Sequence, residues 1–352
     1  MVKKIEHSFS CVGREEREAL DLVIRRNFLA QGSETVNFEL DMAKYIGCRY
    51  AMATCTGTTA LHLALLACGI NKGDEVIIPN YVCRAVLNTV QYCQAQPVLC
   101  DVDKRTFNIL EEDIKLKISR RTGAIIITHM FGCPTPINKF KKFDIPIIED
   151  CAQSIGAEYK GKRVGSGGDI SIFSFEGTKT ITTGEGGMVL TNSARLYERL
   201  LQLKEPHKKS HTPKYTYRMS DLQAAVGRVQ LKKLPGFIRK RERIARQYMR
   251  ELCCADIGLP FVPKHTKHAF YRFMITLKQG NLENFLKNCQ KKGVLVKRPI
   301  SLPTLNQYLG ISNKRFPNTD YIINHCVSVP IYPALLNKNM QKVIKVIKDE
   351  LK

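Results

Sequence analysis

Six short apolar runs fall between residues 75 and 192: EVIIP (75–79), PVLCDVD (97–103), AIIITHMF (124–131), IPIIEDC (145–151), ISIFSF (170–175) and GMVLTN (187–192). Several are continuous rather than alternating. A strand that faces water on one side alternates, so continuous runs predict strands buried on both faces. That pattern belongs to a mostly parallel sheet with helices on either side. The segments between the runs suit those helices. Residues 58–68, TTALHLALLAC, are apolar nearly all round and predict a buried helix. Segments 84–93 and 108–120 predict two more. The fold class is α/β, with a large domain over 1–235.

Beyond about residue 235 the pattern changes. Helical periodicity over 236–253 and 281–292 flanks the strand-like YRFMITL (271–277). VSVPIY (327–332) and a last helix, 337–351, follow. This predicts a smaller α+β domain over 236–352. The chain of 352 residues is long enough for both. No run approaches the ~18 apolar residues of a membrane span. The first residues lack the apolar centre of a signal peptide, so the expected location is the cytoplasm.

Charge and cysteine content bear on partners. The net charge is +23, with Lys and Arg dense over 201–250 and 338–352. Charges in 228–250 are spaced around Val229, Leu231, Leu234, Phe237, Ile238 and Ile244, as on a helix with one solvated face. Lacking a nucleic-acid-binding signature, the excess fits an anionic small substrate more economically than nucleic acid. The 13 cysteines show no CxxC and no paired Cys/His spacing. They predict no metal site and a reducing compartment. Cys68, Cys93, Cys100 and Cys151 sit in apolar runs, as small buried hydrophobes do.

In a sheet of this kind ligands bind at the carboxyl ends of the strands, so the polar residues there are the candidates. Thr56-Gly57-Thr58 precedes the buried helix. It reads either as a phosphate cradle at a helix N-terminus or as a plain N-cap. Asp150 ends a buried run and calls for a positive partner, with Gln153 three residues on; an N-cap is the alternative. Ser174 and Lys179 follow ISIFSF. Lys179 is a candidate nucleophile, since an amine drawn out of water sheds its proton more readily; a solvated loop charge is the alternative. GEGGMV lacks the last glycine of GxGxxG, and EGTKT is not a P-loop. Cradle, acid, hydroxyl and amine together meet the needs of pyridoxal 5′-phosphate.

Nearly end to end, the chain resembles the DegT/DnrJ/EryC1/StrS family of sugar aminotransferases, of aminotransferase fold type I. The resemblance rests on TGTTALHLAL, GDEVIIPNYV, IIEDCAQSIGAEYKGKRVGSGGDISIFSF, KTITTGEGG and YRMSDLQAAVGRVQL. It implies Lys179 as the Schiff-base lysine, Asp150 on the pyridine nitrogen and Gln153 on the ring hydroxyl. It implies Ser174, Gly57 and Thr58 at the phosphate. It also implies transfer of an amino group, with L-glutamate as donor, to a keto-sugar on a nucleotide diphosphate, in a homodimer with shared sites. A keto-cyclitol acceptor is the alternative. A pyridoxal-binding DNA regulator is a rival that intact Lys179, Asp150 and Gln153 weigh against. The chain departs from the family at three places. Cys83 stands where a stacking aromatic is usual. Thr216 replaces the asparagine that reaches the partner's phosphate. Arg298 lies in the segment that usually carries a histidine near the sugar.

Overall fold

The structure, a computed structural model, describes residues 4–204 and 213–351. Part of the basic stretch 201–250, residues 205–212, therefore lies outside the described residues.

In chain order the strands are β1 (Tyr50–Thr54), β2 (Glu75–Pro79), β3 (Gln96–Cys100), β4 (Thr122–Thr128), β5 (Ile147–Asp150), β6 (Glu158–Tyr159), β7 (Lys162–Arg163), β8 (Ile170–Ser174), β9 (Gly187–Thr191), β10 (Ile257–Gly258), β11 (Thr266–Lys267), β12 (Phe273–Leu277) and β13 (Cys326–Val329). Seven of them form one sheet in the order β1-β9-β8-β5-β4-β2-β3. β3, β2, β4, β5 and β8 pair in parallel, and β9 runs against both β8 and β1. The carboxyl ends of β4, β5 and β8 thus lie along one edge. Thr128 pairs with Asp150, and Asp150 with Ile172.

The strands expected from continuous apolar runs all form. Ile77, Ile78, Ile125, Ile126, Ile127 and Ile148 are fully buried, as a sheet covered on both faces requires. β1 was not expected; it follows the helix Ser33–Ile46 and closes the sheet beyond β9. Helix Gly57–Ala67 is buried on every side, from Ala60 and Leu61 through Leu63, Ala64, Leu65 and Ala67. The other flanking helices are Arg84–Tyr92, Glu111–Lys117 and Ala194–Lys204.

A second cluster is built on β12 and β13, with the helices Leu282–Lys291 and Asn337–Glu350 over them. Helix Asp221–Leu252 joins the two clusters without a break. Ser220 caps it, accepting from Gln223 N–H, and it begins well before the expected 236–253. Pro235 lies inside it; proline forfeits one N–H there without ending the helix. Its first half packs Leu231 and Leu234 against the large sheet. Its second half packs Ile244, Ala245 and Tyr248 into the smaller cluster. Ile5, from the other end of the sequence, also packs there and pairs with Val294.

Candidate active site

A cavity of about 400 Å³ opens at the carboxyl edge of the large sheet. It is lined by Thr56, Gly57, Thr58, Asp150, Gln153, Ser174 and Lys179, so seven of the eight residues marked by sequence share one wall system. Thr216 is not among the lining residues; it is exposed on the segment before Ser220.

The cradle is made by two backbones meeting. Thr56 caps helix Gly57–Ala67, its hydroxyl accepting from Thr59 N–H at 3.1 Å. The cap reading of Thr56 therefore holds for its side chain. The N–H groups of Gly57 and Thr58 lie in the first turn, where a helix has no partner for them. Gly57 is fixed by space. A Cβ there would lie 2.6 Å from Ser174 Cβ. Gly187, in the strand opposite, faces Thr56 O at 2.2 Å from any Cβ. Only glycines let β8, β9 and this turn approach so closely. Two N–H groups, the Thr58 hydroxyl and the Ser174 hydroxyl remain for an anion, and an N-terminal helix dipole favours one.

Asp150 Oδ1 accepts from Ala152 N–H at 2.9 Å, and Oδ2 has no partner among the described residues. Burial pushes its carboxyl up; the Ala152 N–H, the Lys179 ammonium and His129 pull against that without cancelling it. Such a carboxylate gains from a cation in the cavity. Gln153 Oε1 accepts from Phe131 N–H at 3.2 Å. That bond fixes the amide's orientation and leaves its NH₂ free to donate.

Behind the cavity is a pair that the sequence reading missed. Glu149 and His129 are both buried. Thr135 N–H donates to His129 Nδ1 at 2.9 Å, so the ring proton is on Nε2, which donates to Glu149 Oε2 at 2.8 Å. Glu149 also accepts from Gly165 N–H (2.9 Å), Gly167 N–H (2.7 Å) and Gly168 N–H (2.5 Å). Burial alone would raise this carboxyl, but the bonds from His129 and the glycine N–H groups hold it below its ordinary value. Cys151 Sγ is close enough to join them as a metal ligand set. The carboxylate oxygens are already engaged by four donors, so the group is a hydrogen-bond network. His129 ends the run AIIIT, and the rule that singled out Asp150 at the end of its run finds His129 too.

The departures have plain positions. Cys83 is exposed at the cavity, while Tyr81 is buried with Phe107 and Phe131. His129 is the one aromatic ring among the described lining residues. Arg298 lies outside the lining. It pairs with Glu283 at 2.5 Å and donates to the carbonyl of Ile323. The described cysteines are all free thiols; Cys93, Cys100 and Cys151 are buried as expected, whereas Cys68 is only partly buried. Among the described residues no helix is long and apolar enough to cross a membrane.

This sheet order, with a lysine, an acid and a helix N-terminus on one edge, is the architecture of fold type I aminotransferases. The chain belongs to the DegT/DnrJ/EryC1/StrS aminotransferase family, whose model matches residues 10–348. It is 38% identical to the GDP-perosamine synthase of Caulobacter vibrioides over 76% of each chain. It is 32% identical to that of Vibrio cholerae over 96% of each. The solved structure of a family aminotransferase from Brucella abortus matches with a TM-score of 0.89 and 26% identity, covering 96% of this chain and 95% of that one. The protein is thus an enzyme, a sugar-type aminotransferase.

Proposed function

We propose that the protein uses pyridoxal 5′-phosphate to move an amino group from a donor such as L-glutamate to a keto-deoxy sugar carried on a nucleoside diphosphate. The observation that carries this is the convergence of Lys179, Asp150, Gln153 and the Ser174–Gly57–Thr58 cradle on one cavity. The residues fit the cofactor. The cradle suits its phosphate, Gln153 NH₂ its ring oxygen, and Asp150 a protonated ring nitrogen. When bound, the cofactor supplies an electron sink for the carbon that bears the amine.

The chain's own residues then have separate tasks. Lys179 Nζ would hold the cofactor and, once free of it, would be the base and acid that carries the proton between the substrate carbon and the cofactor's C4′. Asp150 keeps a proton on the ring nitrogen, and the Glu149 network holds the strand end from which Asp150 projects. The curated GDP-perosamine synthases at 32–38% identity support a nucleotide-linked acceptor. A homodimer with shared sites is part of the same proposal. Leu22, Phe28, Leu29, Val36 and Leu40 are exposed together near the N-terminus, and Thr216 is exposed outside its own cavity.

Borohydride reduction of the cofactor-loaded protein should fix the cofactor to the peptide that contains Lys179. Fixation at another lysine would sink the assignment. Lys179→Ala should abolish amination of GDP-linked keto-sugars and still bind the cofactor through the cradle.

A further inference from the structure

Tyr271 comes from the smaller unit, yet its ring lies 5.5 Å from Lys179 Nζ, face on. It is nearly buried, at 5% exposure. Its placement is tightly built. Ala269 N–H donates to Gly132 O at 2.9 Å and Arg272 N–H to Phe131 O at 3.3 Å. The buried Arg241 donates to the carbonyls of Phe270, Tyr271 and Ile331 at 3.0–3.2 Å. Phe270 takes a φ of +47°, and a Cβ on Gly132 would lie 2.9 Å from Phe270 N. The same turn at Phe131 donates to Gln153. One junction between the two units therefore fixes both a cavity-wall amide and the ring beside the lysine.

The hydroxyl of Tyr271 lies 3.4 Å from Thr178 Oγ1 and 3.4 Å from Arg272 Nη2. Thr178 Oγ1 donates to Glu176 Oε2 at 2.6 Å, and Glu176 lines the cavity. Charged and titratable groups reach the phenol from each packed element. Lys179 and Glu176 come from the turn after β8, Arg272 from the same bend before β12 and Arg241 from the long helix. His7, on the N-terminal segment, lies behind Arg272 at 2.7 Å. Burial pushes the phenol up, but Lys179, Arg272 and the Thr178 hydroxyl outweigh it, and the phenol lies below the ordinary tyrosine value. A phenylalanine would pack the same wall and face the same ammonium. What it lacks is a proton to lose.

We propose that Tyr271 is a positioning residue for the reacting amine: its ring faces the Lys179 ammonium and its hydroxyl reaches Thr178 beside it, so the smaller cluster sets the surroundings of that amine. This rests on Lys179 being the reacting amine. Only O–H and N–H bonds change. Loss of the phenol's proton would place an anion beside the ammonium, and any coupling between the two groups acts equally in both directions.

The reciprocity gives the test. In protein freed of cofactor, competitive acetylation of the Lys179 peptide across pH reads the amine directly. Tyr271→Phe should move its midpoint down by about one pH unit, the scale of one neighbouring charge. In Lys179→Ala, ultraviolet titration should show one tyrosine ionising higher by about the same amount than in the wild type. The second arm leaves Tyr271 in place, so it holds even if Tyr271→Phe misfolds. In the loaded enzyme, Tyr271→Phe should shift the pH profile of the half-reaction with glutamate. A Tyr271→Phe protein with its midpoint and profile in place and only a lower rate has lost packing alone, and overturns the proposal. So does a tyrosine titration that Lys179→Ala leaves unmoved. Borohydride labelling at another lysine would instead sink the functional reading, and would do so whatever the two midpoints show.

Discussion

Single atoms decide the cradle. A methyl group on Gly57 has nowhere to go but into Ser174, at 2.6 Å. Gly57→Ala should weaken cofactor binding by roughly 5–150-fold, the scale of the 1–3 kcal/mol that an extra carbon costs in packed surroundings. A visible-absorbance titration of the cofactor-free protein measures it. Asp150 works differently. On the proposed reading its oxygen without a partner would matter to turnover more than to retention, since the cofactor's phosphate would be held elsewhere. A charge-assisted hydrogen bond is worth ~1.5–3 kcal/mol, so Asp150→Asn should slow the half-reaction with glutamate by roughly 10–150-fold while occupancy stays near the wild type. Wild-type rates in cofactor-loaded Asp150→Asn would reduce Asp150 to an acceptor for Ala152 N–H in the turn after β5, where no helix follows for it to cap.

Strand β5 ends on two carboxylates that face opposite ways. Glu149 turns to the loop after β7 and Asp150 to the cavity. Their separation follows from the period of two along a strand. The Glu149 carboxylate gathers three glycine N–H groups and His129, so it ties β4, β5 and the Gly165–Gly168 loop into one rigid edge. Glu149→Gln replaces one acceptor oxygen by a donor in front of those N–H groups. Each donor left unmet costs about 1–3 kcal/mol. The variant should unfold at lower urea concentration and lose activity in parallel, because Asp150 rides on the same strand end. Unchanged urea unfolding would mean that the loop closes without the carboxylate.

At the scale of the whole molecule, two buried histidines lie beside the bend that carries Tyr271. His7 bonds Ser328 on β13 and meets Arg272; His268 accepts from Phe270 N–H in the bend before Tyr271. Burial lowers both to about 3; for His7 the cations Arg272 and Lys297 add to it. Each is therefore neutral in the folded chain and proton-binding in the unfolded one between about 3 and the ordinary 6.5. Stability is full above 6.5 and falls as pH drops through that window, by up to about 1.4 kcal/mol per pH unit for each histidine. Urea unfolding at several pH values should show that slope, and His268→Asn should remove about one proton's share of it. A variant with the wild-type slope would show that His268 is protonated in the fold after all.

Sequence alone determined the large sheet, because residues buried on both faces must be apolar without alternation, and runs such as EVIIP and AIIIT can be little else. It also marked Asp150 and Ser174 at the ends of such runs, Gln153 and Lys179 just beyond them, and Thr56, Gly57 and Thr58 at the start of the buried helix, since polar residues there stand at the binding edge of a parallel sheet. It missed β1, whose five residues YAMAT carry too weak a pattern. It did not anticipate the unbroken helix through Pro235, where packing against both clusters outweighs one lost hydrogen bond. Tertiary structure alone decided which polar residues meet. Glu149 and His129 lie 20 positions apart and are joined only by the register of β4 and β5. Tyr271 reaches Lys179 from the other unit because Gly132, Phe270 and Arg241 bend the chain there. Patterns along a chain record which face a residue turns to water; contacts between distant residues depend on register and docking, which no local pattern encodes.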